Sequence, residues 1–201
     1  MSRPAEHREP FERFAAVFRA AEESGLPDPN AMILATASPD AAPSSRAVLL
    51  KDFDEEGFVF YTNFESRKGW EILANPQVSL TFFWRSLGEH GGRQVHIRGR
   101  AVRVSDAEAD AYFTSRPRGS RVGAWASQQS RPLAGREELL EAVRREEERF
   151  AGGEVPRPPH WSGFRVVPDE IEFWEAGPYR LHDRELYVRD GDGWQATKLF
   201  P

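Results

Sequence analysis

Arg46-Ala47-Val48-Leu49-Leu50-Lys51, a turn, Gly57-Phe58-Val59-Phe60-Tyr61-Thr62-Asn63, then Phe64-Glu65-Ser66-Arg67-Lys68-Gly69-Trp70: the rest of the chain is organised around this stretch. Two apolar runs of strand length flank Asp54-Glu55-Glu56-Gly57, a loop that suits a hairpin. A helix start follows. Ser66 is a good N-cap, and the segment through Ala74 reads as a short helix ended by Asn75-Pro76. Arg67 and Lys68 then fall in its first turn, where the helix macrodipole favours negative charge. Two cations there point to an anion at that end, since free N–H groups at a helix start make a natural phosphate site. A solvated basic turn is the competing reading, and the residues leave both open.

Working outward, residues 1–9 are polar and read as poorly ordered, and 9–24 carry Phe11, Phe14, Ala15, Phe18 and Ala21 at helical spacing. Strands are expected at 32–37, 45–53, 57–63 and 78–84, and at 94–104, with a bulge at Gly99. Residues 85–92 read as an exposed glycine-rich loop. Ser105-Asp106 caps a helix to about residue 115, residues 121–127 suggest a short helix, and 135–150 a solvated, highly charged one. A Pro/Gly-rich linker, 152–160, precedes strand-like segments at 161–167 and 170–174. Asp190-Gly191-Asp192-Gly193 marks a final hairpin between 184–188 and 194–199. Seven or eight strands in sequential hairpins imply a mainly β fold with inserted helices (α+β), an antiparallel sheet or barrel rather than a parallel array. The expected organisation is one domain: an N-terminal segment and helix over 1–30, then a body over 31–201 with helical insertions at 105–150 and C-terminal strands at 161–201.

The bulk numbers exclude several function classes. A net charge of -5 over 201 residues disfavours nucleic acid or an anionic membrane as the main partner, so any anion site is a local basic cluster. There is no cysteine, hence no disulfide, thiolate nucleophile or Cys-ligated metal. The five histidines show no metal-ligand spacing, so no metal site is expected. No apolar run has transmembrane length, and without a signal-like start a cytoplasmic protein is the simplest reading. Phosphate loops, dinucleotide glycine motifs, zinc-protease motifs and nucleophile elbows are all missing.

What remains is a set of polar clusters. Arg116-Pro117-Arg118-Gly119-Ser120 combines cations, a turn and a hydroxyl and suits a phosphate, or is a surface turn. Gln128-Gln129-Ser130 offers amides and a hydroxyl, or is an ordinary loop. Arg180-Leu181-His182-Asp183-Arg184, if extended, puts Arg180, His182 and Arg184 on one face; the alternative is an edge strand with protective charges. Together with the aromatic residues, among them Trp174, these clusters describe a binder of flat phosphate esters. No nucleophile or acid–base dyad is evident, and such a site leaves the hard chemistry to a cofactor.

Arg-Ala-Val-Leu-Leu-Lys, Phe-Tyr-Thr-Asn-x-x-Ser-Arg-Lys, Arg-Gln-Val, Tyr-Phe-x-Ser-Arg-Pro-Arg-x-Ser, Gly-Ala-Trp-Ala-Ser-x-Gln-Ser, Ile-Glu-Phe-Trp and Arg-Leu-His-Asp-Arg occur in this order from about residue 30 onward. The ordered set closely resembles the pyridoxine/pyridoxamine 5′-phosphate oxidase family. The resemblance implies an FMN-binding split β-barrel and a homodimer with FMN at the subunit interface. It implies oxidation of pyridoxamine or pyridoxine 5′-phosphate to pyridoxal 5′-phosphate, with O2 reduced to hydrogen peroxide. Carried over by position, the FMN contacts are Arg46, Ala47, Val48, Leu49, Leu50, Lys51, Tyr61, Thr62, Arg67, Lys68, Gln94, Gln129, Ser130, Trp174 and Arg184. The substrate contacts are Lys51, Tyr112, Arg116 and Ser120 on the phosphate, with Arg180, Leu181 and His182 at the ring. Arg180 and His182 are the catalytic candidates, cast as orienting and electrostatic groups. A phenazine-type flavin oxidase of the same fold, or a flavin or pyridoxal phosphate binder without turnover, is the alternative. Two departures stand out: no basic Arg-Arg-x-Tyr segment precedes Phe11, and residues 88–92 look like an insertion.

Overall fold

The computed structural model describes residues 2–201. Strand β1 (Arg3–Ala5) and helix α1 (Glu9–Glu23) precede β2 (Ala31–Ala37), β3 (Pro43–Leu49), β4 (Asp52–Asp54) and β5 (Gly57–Asn63). Helix α2 (Arg67–Ala74) leads to β6 (Gln77–Trp84) and β7 (Arg93–Arg103), and three helices follow: α3 (Asp106–Ser115), α4 (Arg118–Ala126) and α5 (Arg136–Arg149). The last elements are β8 (Trp161–Glu175), β9 (Asp183–Asp190) and β10 (Gly193–Lys198). The main path of the sheet runs β1-β10-β9-β8-β7-β6-β2-β3. All its pairings are antiparallel, as the hairpin-rich sequence implied. Strand β5 pairs with the first half of β8, and the Lys51 N–H donates to the Val59 carbonyl, so the sheet curls into an open barrel.

Alternation along the strands sets the core. Met32 and Leu34 of β2 and Val78, Leu80, Phe82 and Trp84 of β6 point inward. Helix α1 lays its apolar stripe across the barrel mouth. Phe14, fully buried, meets Phe53 and Phe58 at 4.8 Å and Phe82 at 5.2 Å between ring centroids. The opposite face of the sheet exposes Ile33 on β2, Leu49 on β3 and Phe83 on β6. Helix α5, all of it among the described residues, buries no side chain, in keeping with its charged sequence.

Among the described residues the sheet has ten strands rather than seven or eight. Of the N-terminal segment read as poorly ordered, Met1 lies outside the described residues. Residues 3–5 are ordered because their main chain pairs with the edge strand β10, and the Trp194 indole N–H donates to the His7 carbonyl at 3.1 Å. The strand expected over 45–53 breaks at Leu50, whose buried side chain and N–H bond to the Asn30 carbonyl (2.8 Å) turn the chain. Residues 161–175 form one strand, not two. Pro168 and Asp169 are absorbed as a bulge: Arg98 faces Glu170 while Gly99 faces Pro168. A Cβ at Gly99 would lie 2.1 Å from the Val167 carbonyl oxygen, so the bulge needs glycine there, as expected from the sequence. The loop at 85–92 is closed at its base, where the Gly92 carbonyl accepts the Ala176 N–H and Leu87 is buried.

The extended face drawn through Arg180, His182 and Arg184 is not formed. Pro178–Arg180 is a 3-10 turn with Tyr179 at φ 55° and Arg180 at φ 66°, and only Arg184 lies within β9. Two successive non-glycine residues in the left-handed region are uncommon and mark a constrained turn.

Candidate active site

A cleft of about 670 Å³ opens between β3, β5, α2, α3 and α4. Its floor begins at the start of α2. Ser66 Oγ accepts the Gly69 N–H (3.3 Å), the cap expected from the sequence, and donates to the Asn63 carbonyl (2.6 Å). Lys68 folds back over this cap. Its Nζ donates to Thr62 Oγ1 and Ser66 Oγ, both at 3.2 Å, and to Gln129 Oε1 at 2.8 Å. All three acceptors are neutral. Burial, followed by the charge of Arg46, pulls the Lys68 ammonium down to about 8. Ser130 Oγ accepts the Arg67 backbone N–H at 3.2 Å.

Behind this end lies a carboxylate that the sequence reading passed over. Glu71 is fully buried. Its Oε2 accepts from Thr36 (2.5 Å), Ser44 (2.6 Å) and Arg46 Nη2 (3.3 Å), and its Oε1 from Arg67 Nε (2.9 Å). Burial pushes the Glu71 carboxyl up, but the bonds from Ser44, Thr36 and Arg67 and the charge of Arg46 outweigh it and hold it at about 2. The only sequence signal was the spacing of Arg67 and Glu71, one helical turn apart.

The opposite wall comes from α3, α4 and the start of β8. The Ser105–Glu108 capping box starts α3. Arg157 then clamps that helix, donating to Asp106 (2.8 Å), Asp110 (2.5 Å) and the Trp161 carbonyl (2.9 Å). Tyr61, Tyr112 and Trp161 form a parallel stack: Tyr61 and Tyr112 centroids are 4.0 Å apart, Tyr61 and Trp161 5.4 Å. A Cβ at Gly163 would sit 2.7 Å from the Tyr61 ring, so only glycine makes room for it. The Arg116 guanidinium lies 4.7 Å from the centre of the Trp161 ring, and its Nη1 is buried with no hydrogen-bond partner among the described residues. Burial lowers the pKa of Arg116. Trp161 lines the cleft and was read from the sequence only as a strand start.

The structure thus gathers Ala47, Val48, Leu49, Lys51, Tyr61, Thr62, Lys68, Tyr112, Arg116, Ser120 and Gln129 along one cleft. Arg46, Arg67 and Ser130 adjoin it through the contacts at the α2 end. Leu50 points the other way, into the core. Arg118 separates from its neighbours in the basic turn: it donates to the Phe150 and Gly153 carbonyls and closes the end of α5.

The remaining candidates form a second group. Gln94, Trp174 and Arg184 are register partners across β7, β8 and β9, and Gln94 and Trp174 line a separate cavity of about 160 Å³. Arg184 donates to Glu172 (2.7 Å), and the His182 ring lies 4.6 Å from Trp174. His182 Nδ1 accepts the Gly177 N–H at 3.2 Å, which leaves the proton of the neutral ring on Nε2. Leu181 is exposed, and Arg180 stands in the strained turn. Trp161 and Trp174 occupy opposite ends of β8, a strand of 15 residues. At ~3.3 Å per residue that separates the two groups by on the order of 40 Å along the strand.

Comparison with known proteins identifies the family. Residues 18–150 match the family model described as pyridoxamine 5′-phosphate oxidase, and residues 161–201 match that of the pyridoxine 5′-phosphate oxidase C-terminal dimerisation region. A pyridoxine/pyridoxamine 5′-phosphate oxidase of Myxococcus xanthus is 58% identical over 193 residues, 96% of this chain and 92% of the relative. That of Rhodospirillum rubrum is 56% identical over 201 residues, covering 98% of each. Among solved structures, PhzG from Burkholderia lata 383, in complex with tetrahydrophenazine-1-carboxylic acid, superposes with a TM-score of 0.89 at 34% identity, covering 98% of this chain and 94% of that one. The chain belongs to the pyridoxamine 5′-phosphate oxidase family.

Proposed function

We infer that the chain catalyses oxidation of pyridoxamine 5′-phosphate and pyridoxine 5′-phosphate to pyridoxal 5′-phosphate, with FMN as cofactor and O2 reduced to H2O2. One observation carries the reading at the level of the site. Lys51, Lys68 and Arg116 line a single cleft, and among the described residues none of the three has a carboxylate partner. Unpaired cations repel one another and are costly wherever they lose water, so a cleft that gathers three is built for anions. Cofactor and substrate each bring one phosphate and one flat ring. The stack of Tyr61, Tyr112 and Trp161 and the volume of the cleft suit those rings.

The donor set fits FMN. Lys68, the Arg67 side chain and the capped start of α2 would hold its phosphate, and the β3 residues Arg46 to Leu49, with Lys51 just past the strand end, would run along the flavin. Arg116, with its unpartnered Nη1, would take the substrate phosphate together with Lys51, Tyr112 and Ser120. Bound FMN supplies a two-electron acceptor for the hydride leaving C4′ and passes the electrons on to O2. The task of the chain is to hold the two rings in contact and keep that carbon at a fixed distance. Having lost the hydride from C4′ and a proton from its amine, which together with O2 make up H2O2, pyridoxamine phosphate becomes an imine that water hydrolyses to aldehyde and ammonia.

Arg180, His182, Gln94, Trp174 and Arg184 stand too far along β8 to join the cleft of their own chain. We place them in the cleft of a second copy. The exposed apolar face of Ile33, Leu49 and Phe83 on β2, β3 and β6 supports a homodimer packed there, as does the dimerisation region matched by residues 161–201. His182, with its proton on Nε2, is then a hydrogen-bond donor to the bound ring, and Arg180 a fixed positive charge beside it.

The reaction is tested by adding pyridoxamine 5′-phosphate in air to the flavin-loaded protein and following aldehyde and peroxide. Flavin binding without aldehyde from either substrate refutes it. The shared site is tested by mixing Arg116→Ala and Arg180→Ala chains, each inactive alone. Heterodimers then carry one intact site of two, and random mixing restores about a quarter of wild-type activity. No recovery would place both groups in one chain. The phenazine-type reading has in its favour the 0.89 superposition on the phenazine-bound relative. The cleft retains the phosphate set Tyr112, Arg116 and Ser120, which that reading leaves without a role.

A further inference from the structure

We propose that Glu71 is the positioning residue of the cofactor phosphate site: a buried carboxylate that fixes the two guanidinium groups of Arg46 and Arg67. This rests on the reading that the FMN phosphate sits at the start of α2. Glu71 is fully buried and lies on the helix whose first turn carries Arg67 and Lys68. Four donors converge on it from three elements: Thr36 of β2, Ser44 and Arg46 of β3, and Arg67 of α2.

The geometry of each arginine matters. Arg67 gives only its Nε to Glu71, so the edge formed by its two terminal nitrogens remains able to make a two-pronged grip on a phosphate. Arg46 is held more tightly. Its Nη1 donates to Thr36 Oγ1 at 2.6 Å and to the Leu34 carbonyl at 3.3 Å, and its Nη2 reaches Ser44 and Glu71. Thr36 and Ser44 in turn donate to the same carboxylate oxygen. The arrangement resolves the conflict in the first turn of α2. Two cations at a helix start oppose the macrodipole. Glu71 offsets that charge from inside while leaving the outer surface positive, and its bond to Nε restrains the Arg67 side chain.

Positioning and simple electrostatics predict opposite signs for the loss of Glu71. By charge alone, removing a carboxylate beside a phosphate site strengthens phosphate binding. By positioning, removing it weakens binding, because two long side chains lose their fixed geometry. The test uses the apoprotein and reads flavin fluorescence quenching with FMN and with riboflavin, which lacks the phosphate. Glu71→Gln is expected to lower affinity for FMN about tenfold while changing that for riboflavin less than about twofold. Ser44→Ala keeps the carboxylate and removes one of its anchors. It is expected to lower FMN affinity by about threefold with the same selectivity, and it decides the matter if Glu71→Gln fails to fold. Unchanged or tighter FMN binding in the variants, with wild type still preferring FMN, overturns the proposal. Equal loss for both flavins also overturns it and makes Glu71 a general structural residue. A wild-type protein that does not distinguish FMN from riboflavin refutes instead the underlying placement of the phosphate.

Discussion

Flavin retention should carry a pH dependence set by Lys68. In the ligand-free protein its ammonium is bounded by three neutral oxygens and the charge of Arg46, and it titrates at about 8. A bound phosphate dianion would restore the ordinary lysine value of ~10.4 or raise it further. The sign follows from linkage. Lys68 has the lower pKa without ligand, so binding takes up a proton; affinity is greatest below about 8 and falls as pH rises toward the bound value. At about pH 7 roughly nine-tenths of the free sites are charged, and at about pH 9.5 roughly 3%, so FMN affinity should fall about 30-fold, or ~2 kcal/mol. The second ionisation of the phosphate lies near 6, outside this window. The assay is a fluorescence-quenching titration of apoprotein across the range. Calorimetry in two buffers of different ionisation enthalpy should show uptake of about 0.9 proton per flavin near pH 9. Lys68→Arg keeps its charge throughout and should flatten the curve. A flat wild-type profile, or a Lys68→Arg variant that retains the slope, would show that Lys68 does not set the pH dependence.

Other consequences are as concrete. Trp161→Ala removes the ring beneath Arg116, and at ~1–2 kcal/mol for a desolvated cation–π contact KM for the phosphorylated substrate should rise about 5- to 30-fold, with Trp161→Phe intermediate; steady-state kinetics read this. Phe14→Ala empties a fully buried ring position against Phe53, Phe58 and Phe82, and should cost about 3–5 kcal/mol in urea unfolding. Glu71→Gln should lose its stability deficit in acid. The native carboxyl is held at about 2, so its contribution is present above the unfolded value of ~4.3 and disappears as pH falls through the interval. Wild-type and variant melting curves should converge near about pH 2.

Much of the architecture was legible because side-chain alternation reports burial directly. Met32 and Leu34, and Val78 to Trp84, declare their strands, and Gly99 declares its bulge. The missed elements are those held by main-chain bonds rather than by apolar pattern. Residues 3–5 become a strand because β10 offers an open edge, and nothing in Arg-Pro-Ala announces it. Residues 180–184 could be drawn as one extended face because alternating charges mimic a strand; the turn that ends at Arg180 shows only in the backbone conformation. In the site, exposed cations were visible as anomalies of charge. Glu71 was hidden because an acidic residue in a short helix reads as solvated, and its burial depends on Thr36 and Ser44 from distant strands. Trp161 was hidden because an aromatic residue at a strand start reads as core.

Strand β8 has a consequence beyond geometry. A beam that carries Trp161 at one end and Trp174 at the other serves two clefts at once, if each copy completes the site of its neighbour. An isolated chain then owns two halves of different sites and no whole one, so catalysis becomes second order in polypeptide at high dilution. Genetically, a defect at either end spreads to a healthy partner. A chain defective at one end ruins one site of each mixed dimer, whereas two chains defective at opposite ends rescue each other. Tolerance to damage in such a protein is a property of the pair of alleles and not of either sequence alone.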